Sequence, residues 1–215
     1  MLHNKNRAVY YSRVPSQNSI PVGPGRPREF DADEAVIDAM AVFQSRGYAA
    51  TSLVHLIEGT GLSRGSLYKA FNDKHSLFLA ALDRYSSDSL SRLSSDLGKE
   101  PARDAILTTL RYYARQSAAT KGLRGCLVTA TAMELLPDDA DVRQRVRATF
   151  SRMQHLLAMV IRKGQASGEI SLHHDADGLA RFLLCLVEGM RVLGKTAPGI
   201  REMDEMVAIA MTALD

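Results

Sequence analysis

Between Thr51 and Phe71 the chain reads TSLVHLIEGTGLSRGSLYKAF, and this stretch limits the fold more than any other. Leu53, Leu56 and Ile57 recur at the spacing of one helical face, and Leu67, Ala70 and Phe71 repeat the pattern after a break. Thr60, Gly61 and Leu62 occupy the break, where glycine can take a backbone angle that side chains disfavour. Ser63 then fits the cap of a second helix, its hydroxyl accepting from an N–H two or three residues on. Two short helices joined by such a turn make a helix-turn-helix. Arg64, Gly65, Ser66, Tyr68 and Lys69 are left on the outer face of the second helix, with no acidic residue among them.

A helix with that face, carried beyond a supporting helix, suits the major groove of double-stranded DNA. Its first residues reach base edges, Tyr68 and Lys69 lie near phosphates, and Gly65 lets the backbone come close. The pattern Thr51, Leu56, Gly61-Leu62-Ser63, Leu67-Tyr68 and Phe71 closely resembles the helix-turn-helix of the TetR family of bacterial transcriptional regulators. The segment FDADEAVIDAMAVFQSRGYAATS upstream resembles the family's first helix and turn, and Lys74 with Leu77-Phe78 resembles the start of its fourth. Ile57 and Thr60 stand where alanine is common, and His75 where an acidic residue is common. The resemblance implies DNA contacts at Thr51, Ser63, Arg64, Gly65, Ser66, Tyr68, Lys69 and Lys74. It extends to the basic segment Gly25-Arg26-Pro27-Arg28, where Arg26 and Arg28 could enter the minor groove as arms of other DNA-binding domains do.

The formal net charge of +3 hides an asymmetry: residues 1–28 hold Lys5, Arg7, Arg13, Arg26 and Arg28 and no acid. With four prolines the segment reads as a flexible basic arm over 1–24. Residues 25–73 then form the DNA-binding unit, and 74–215 a helical ligand-binding and dimerisation unit. An all-α fold is expected, because no stretch alternates as a strand does. After a long helix over 74–97, helical spacing returns over 102–120, 126–136, 142–163, 177–195 and 201–214. Gly164 to His174 reads as a loop. The segment 177–195 is apolar on most sides and needs cover on more than one face. In the TetR-like architecture the last two helices pair with those of a second subunit, which implies a homodimer.

Cys126 and Cys185 are too few and too far apart for a disulfide framework or an all-cysteine zinc site, and they suit a reducing cytoplasm. The most apolar run, Leu179 to Val187, is short and interrupted by Arg181, so no membrane span is expected. Gly61-Leu62-Ser63-Arg64-Gly65 matches the serine-hydrolase pattern G-x-S-x-G but follows a helix and not a strand, which argues against an enzyme. No cofactor or metal is implied.

Cys126 follows Gly125 at a helix start, near Lys121 and Arg124, where the helix dipole and cations favour a thiolate. Arg124-Gly125-Cys126-Leu127 resembles a TetR-like subgroup in which some members sense oxidants or electrophiles through this cysteine. A small buried apolar residue is the other reading, and packing is the reading for Cys185. The family also implies a pocket for a small-molecule effector. Tyr113, Cys126, Thr129, Glu134, His155 and Glu188, polar positions on apolar faces, are its candidate lining. The expected function is a sequence-specific regulator, a repressor released from a palindromic operator by a small molecule, electrophile or oxidant. Control by a protein partner is the alternative.

Overall fold

The computed structural model describes residues 31–98 and 101–215. The basic arm, with Arg26 and Arg28, therefore lies outside the described residues. Among the described residues all regular structure is helical, with ten α-helices and one 3-10 turn. No helix there is long and apolar enough to cross a membrane.

Helix α1 (Ala32–Arg46) starts where the Asp31 carboxylate accepts from Asp33 N–H, with Asp33 and Glu34 in the first turn facing the positive end of the helix dipole. It ends at Gly47, whose φ of 79° is open to glycine at little cost. Helices α2 (Leu53–Thr60) and α3 (Arg64–Phe71) follow. Asp73 caps α4 (Lys74–Leu97) by accepting from Ser76 N–H at 2.7 Å. The body is built from α5 (Ala102–Ser117), α6 (Ala119–Gly122), α7 (Leu127–Leu135), α8 (Ala140–Ser167), α9 (Ala176–Leu193) and α10 (Ile200–Thr212), with a 3-10 turn at Gly194–Thr196.

Two boundaries differ from the sequence expectation. The helix expected to reach residue 120 stops at Ser117 and gives way to the single turn α6. Helix α8 continues past Gly164 to Ser167 and is closed by Gly168 at φ 77°. Gly164 is not a break: a Cβ there would lie 2.6 Å from Ile170 and 3.1 Å from Ala102, so the glycine serves close packing inside the helix.

The apolar interior forms two clusters that meet along α4. One is built from Ala39, Met40, Phe43, Leu56, Leu67, Leu77, Phe78, Ala81 and Leu82, and is completed by Leu127 and Val128 of α7 and Val142 and Val146 of α8. The other joins Leu93 and Leu97 to the inner faces of α5, α8, α9 and α10. The first half of α4 thus belongs to one core and the second half to the other. Ala70, expected on the buried face of α3, is exposed; Leu67 alone on that helix is fully buried. On α9 the outer face carries Phe182, Val192 and Leu193, each more than 40% exposed. Cys185 is exposed on the same helix, which corrects the packing expectation for it.

Phe43 has no exposed surface and meets Phe78 edge-to-face with centroids 5.0 Å apart. Replacing Phe43 with alanine removes a fully buried aromatic and is expected to cost about 3–5 kcal/mol of unfolding free energy. Denaturant unfolding of the Phe43→Ala protein measures this, and a loss below about 1 kcal/mol would mean that the site collapses around the change.

Candidate nucleic-acid interface

Helix α3 is presented by three local devices. Ser52 caps α2 by accepting from His55 N–H, and the His55 ring accepts from Ser52 N–H in return. Gly61 ends α2 in the left-handed region at φ 68°. Ser63 caps α3, accepting from Ser66 N–H at 3.1 Å while the two hydroxyls meet at 3.0 Å. The underside of the pair rests on the core through Leu56 and Leu67. Ser63, Arg64, Gly65, Tyr68 and Lys69 are exposed together, with Ser66 half-exposed beside them. The Arg64 guanidinium lies 5.6 Å from the centre of the Tyr68 ring, a cation over an aromatic face one turn along.

Two of the residues expected on this surface have other work. Thr51 is 1% exposed; its hydroxyl donates to Gly47 O at 2.6 Å and its N–H to Tyr48 O. Both donors are engaged inside the turn, so the side chain shapes the α1–α2 connection and does not face a ligand. Lys74 is half-buried, donating to Tyr48 O at 3.0 Å and Thr51 O at 2.9 Å with its ammonium over the Tyr48 ring. An ammonium has three donors, so one remains beyond those two bonds. Tyr48 itself packs against Phe43 of α1 and Phe78 of α4.

The effector candidates separate into two groups. Tyr113, Cys126, Thr129 and Glu188 come together inside the body, joined by two residues that sequence reasoning missed, Tyr85 of α4 and Arg191 of α9. The Thr129 hydroxyl donates to Glu188. Arg191 donates to Gln116 O at 2.6 Å and to Gly125 O, immediately before Cys126. Burial holds the Glu188 carboxyl above its ordinary value, against the opposing effects of the Thr129 bond and Arg191. Burial also pushes up the Tyr85 and Tyr113 phenols, aided in Tyr85 by the adjacent Cys126 and in Tyr113 by Glu188 and then Cys126. The half-buried Cys126 therefore has a phenol and a guanidinium for neighbours. Arg191 was visible as a basic residue three positions after Glu188 in an otherwise apolar helix, a spacing that shares one face.

Glu134 and His155 do not belong to this group. His155 is exposed on α8. Glu134 is exposed too, and its carboxylate accepts from the backbone N–H groups of Tyr48 and Ala49 at 2.9 and 2.7 Å. Both looked like interior polar residues because helical spacing was extended one step too far around α7 and α8. A further joint links His75 Nε2 to Asp139 at 3.1 Å, and Asp139 also caps α8 through Val142 N–H. Asp141 brings a third potential ligand atom within 4.8 Å. The His75 contact falls on Asp139 Oδ2 and the cap on Oδ1, and each oxygen keeps a further lone pair.

Two stretches of the chain match family models. Residues 38–81 match the family model described as bacterial regulatory proteins, tetR family, and residues 102–208 match the tetracyclin repressor-like C-terminal domain. The HTH-type transcriptional repressor ComR of Escherichia coli is 31% identical over 192 residues, covering 88% of this chain and 90% of ComR. A cysteine mutant of the TetR family regulator CifR, solved with a 26-bp double-strand operator DNA, superposes with a TM-score of 0.79 at 31% identity, over 89% of this chain and 100% of that one. A TetR regulator from Chloroflexus aurantiacus gives 0.75 at 27% identity, over 84% and 91%. With an exposed, capped recognition helix carried on such a body, the chain belongs to the TetR family and is a DNA-binding transcriptional regulator.

Proposed function

We propose that the protein is a homodimeric repressor that reads a palindromic operator through the outer face of α3, and that a signal received in the body releases it. One observation carries this reading: Arg64, Gly65, Ser66, Tyr68 and Lys69 form one solvent-facing strip on a helix capped by Ser63 and closed by the bond from Asn72 N–H to Tyr68 O. The strip has donors and two cations, Arg64 and Lys69, for base edges and phosphates. Repression is supported by likeness to ComR, which is named a repressor. A dimer is supported by the uncovered apolar faces of α9 and α10, where Phe182, Val192, Leu193 and Ile209 are exposed. Two-fold pairing of those faces sets two recognition helices at half-sites. The polar groups serve binding and signalling, and none is given a catalytic part.

The cluster of Tyr85, Tyr113, Cys126, Thr129, Glu188 and Arg191 is the proposed seat of the signal. A small polar molecule, or an electrophile or oxidant at Cys126, would act by favouring a conformation whose recognition helices no longer match the operator spacing. Control by a protein partner remains the second reading. Its support is that Thr129, Glu188 and Arg191 already bond one another or nearby carbonyls, which leaves a ligand little to satisfy.

Arg64→Ala is expected to relax sequence discrimination and to cost about 1–3 kcal/mol on a palindrome selected with the wild-type protein. Lys69→Ala should instead weaken binding about equally on all sequences and lower the salt dependence by roughly one counterion. Fluorescence anisotropy on selected and random duplexes separates the two, and wild-type behaviour from both variants would remove α3 as the reading face. Cys126→Ser is expected to bind the operator normally and to stay bound when hypochlorite or a quinone is added. Release equal to wild type would place the signal elsewhere.

A further inference from the structure

We infer that Glu134 is a positioning residue for operator recognition: from α7 in the body it holds the turn that aims α2 and α3. The turn Gly47–Thr51 is gripped from two sides. Lys74 of α4 takes its carbonyls at Tyr48 and Thr51. Glu134 takes its N–H groups, Oε2 from Tyr48 at 2.9 Å and Oε1 from Ala49 at 2.7 Å. Each carboxylate oxygen therefore holds one of two successive peptide groups, in charge-assisted bonds stronger than neutral ones. The approach is close enough that a Cβ on Gly47 would lie 2.9 Å from Glu134 Oε2. Ser52, the cap of α2, comes directly after this turn, so the direction in which α2 and then α3 leave is set where Glu134 holds the chain.

The other attachments of α7 make Glu134 more than a local cap. Ahead of the helix, Gly125 O accepts from Gln44 Nε2 of α1 at 3.3 Å and also from Arg191 of α9. Leu127 and Val128 are buried in the core shared with α1 and α4. Thr129 reaches the opposite way, into the bond with Glu188. Thr129 and Glu134 lie five residues apart on one short helix, about 7.5 Å along its axis. A rigid element is thus tied at one point to the interior polar cluster and at another to the turn that carries the reading helix. A shift of α7 that follows a change at Thr129–Glu188 moves the Glu134 carboxylate relative to Tyr48 and Ala49. Interfaces of this kind pass small displacements on because packed contacts do not deform continuously. The inference rests on α3 as the reading helix, which Arg64→Ala tests separately.

The test uses the full-length protein, a duplex selected with it, and a random duplex of equal length. Glu134→Gln removes the charge and turns one acceptor into a donor that faces a peptide N–H. Operator affinity is expected to fall about tenfold, with affinity for random DNA changed less than about twofold and the melting temperature nearly unchanged. Amide hydrogen exchange should speed up at Tyr48 and Ala49, and the α8–α9 core should keep its protection. Thr129→Val, made alone and with Glu134→Gln, closes a double-mutant cycle. The two changes should be non-additive in operator affinity by threefold or more. Unchanged operator affinity in Glu134→Gln, equal losses on both duplexes, or additive effects in the cycle would each overturn the inference.

Discussion

A helix of eight residues does not hold its shape in water without packing, because the cost of starting a helix is spread over too few hydrogen bonds. Both α2 and α3 are that short, and α3 also leaves most of its surface in solvent. Leu67 is its single fully buried side chain. The stability of the reading helix is therefore borrowed. Phe43, Leu56, Leu77 and Phe78 supply the nearest surface, and Leu127, Val128, Val142 and Val146 close the core from helices more than fifty residues further on. The DNA-binding head is finished by the body, and a change in the packing of the body has a direct route to the head.

Polar joints give that route direction. Hydrogen bonds fix direction as well as distance, and a carboxylate bonded to two successive peptide N–H groups accepts only a narrow range of positions. Three such joints lie along the stretch 125–139: Gln44 on Gly125 O, Glu134 on the Tyr48–Ala49 peptides, and His75 on Asp139. All three connect the α7 region to α1, its following turn, or the start of α4. The interior cluster around Cys126 and Glu188 abuts the same helix from the other side. The Glu188 carboxyl there is held partly desolvated, which is costly without its Thr129 partner.

Much of the head could be read from its residues, since capping and turn chemistry are local. Ser63 caps the helix that its position suggests, and Gly61 takes the left-handed angle a tight turn requires. Tertiary use of a residue was less visible. Gly164 looked like a break because nothing in the chain near it announces Ile170 and Ala102 pressing on its Cα. The inward turn of Thr51 and the two intramolecular bonds of Lys74 are hidden from the sequence because their partners are backbone carbonyls, which no residue pattern displays. Glu134 and His155 were drawn into the interior by periodicity, which resolves a helical face only to about one residue in either direction. Arg191 is legible from its three-residue spacing to Glu188, whereas a tyrosine such as Tyr85 on an apolar face signals nothing until its partners from other helices are known.

The most direct measurement is a structure of the full-length protein on an operator selected with it. The arrangement described above predicts α3 in the major groove, with Arg64 within hydrogen-bonding distance of a base edge, Tyr68 or Lys69 on a phosphate, and Glu134 still bonded to Tyr48 and Ala49. An operator engaged by another face, with the strip from Arg64 to Lys69 left in solvent, would contradict it.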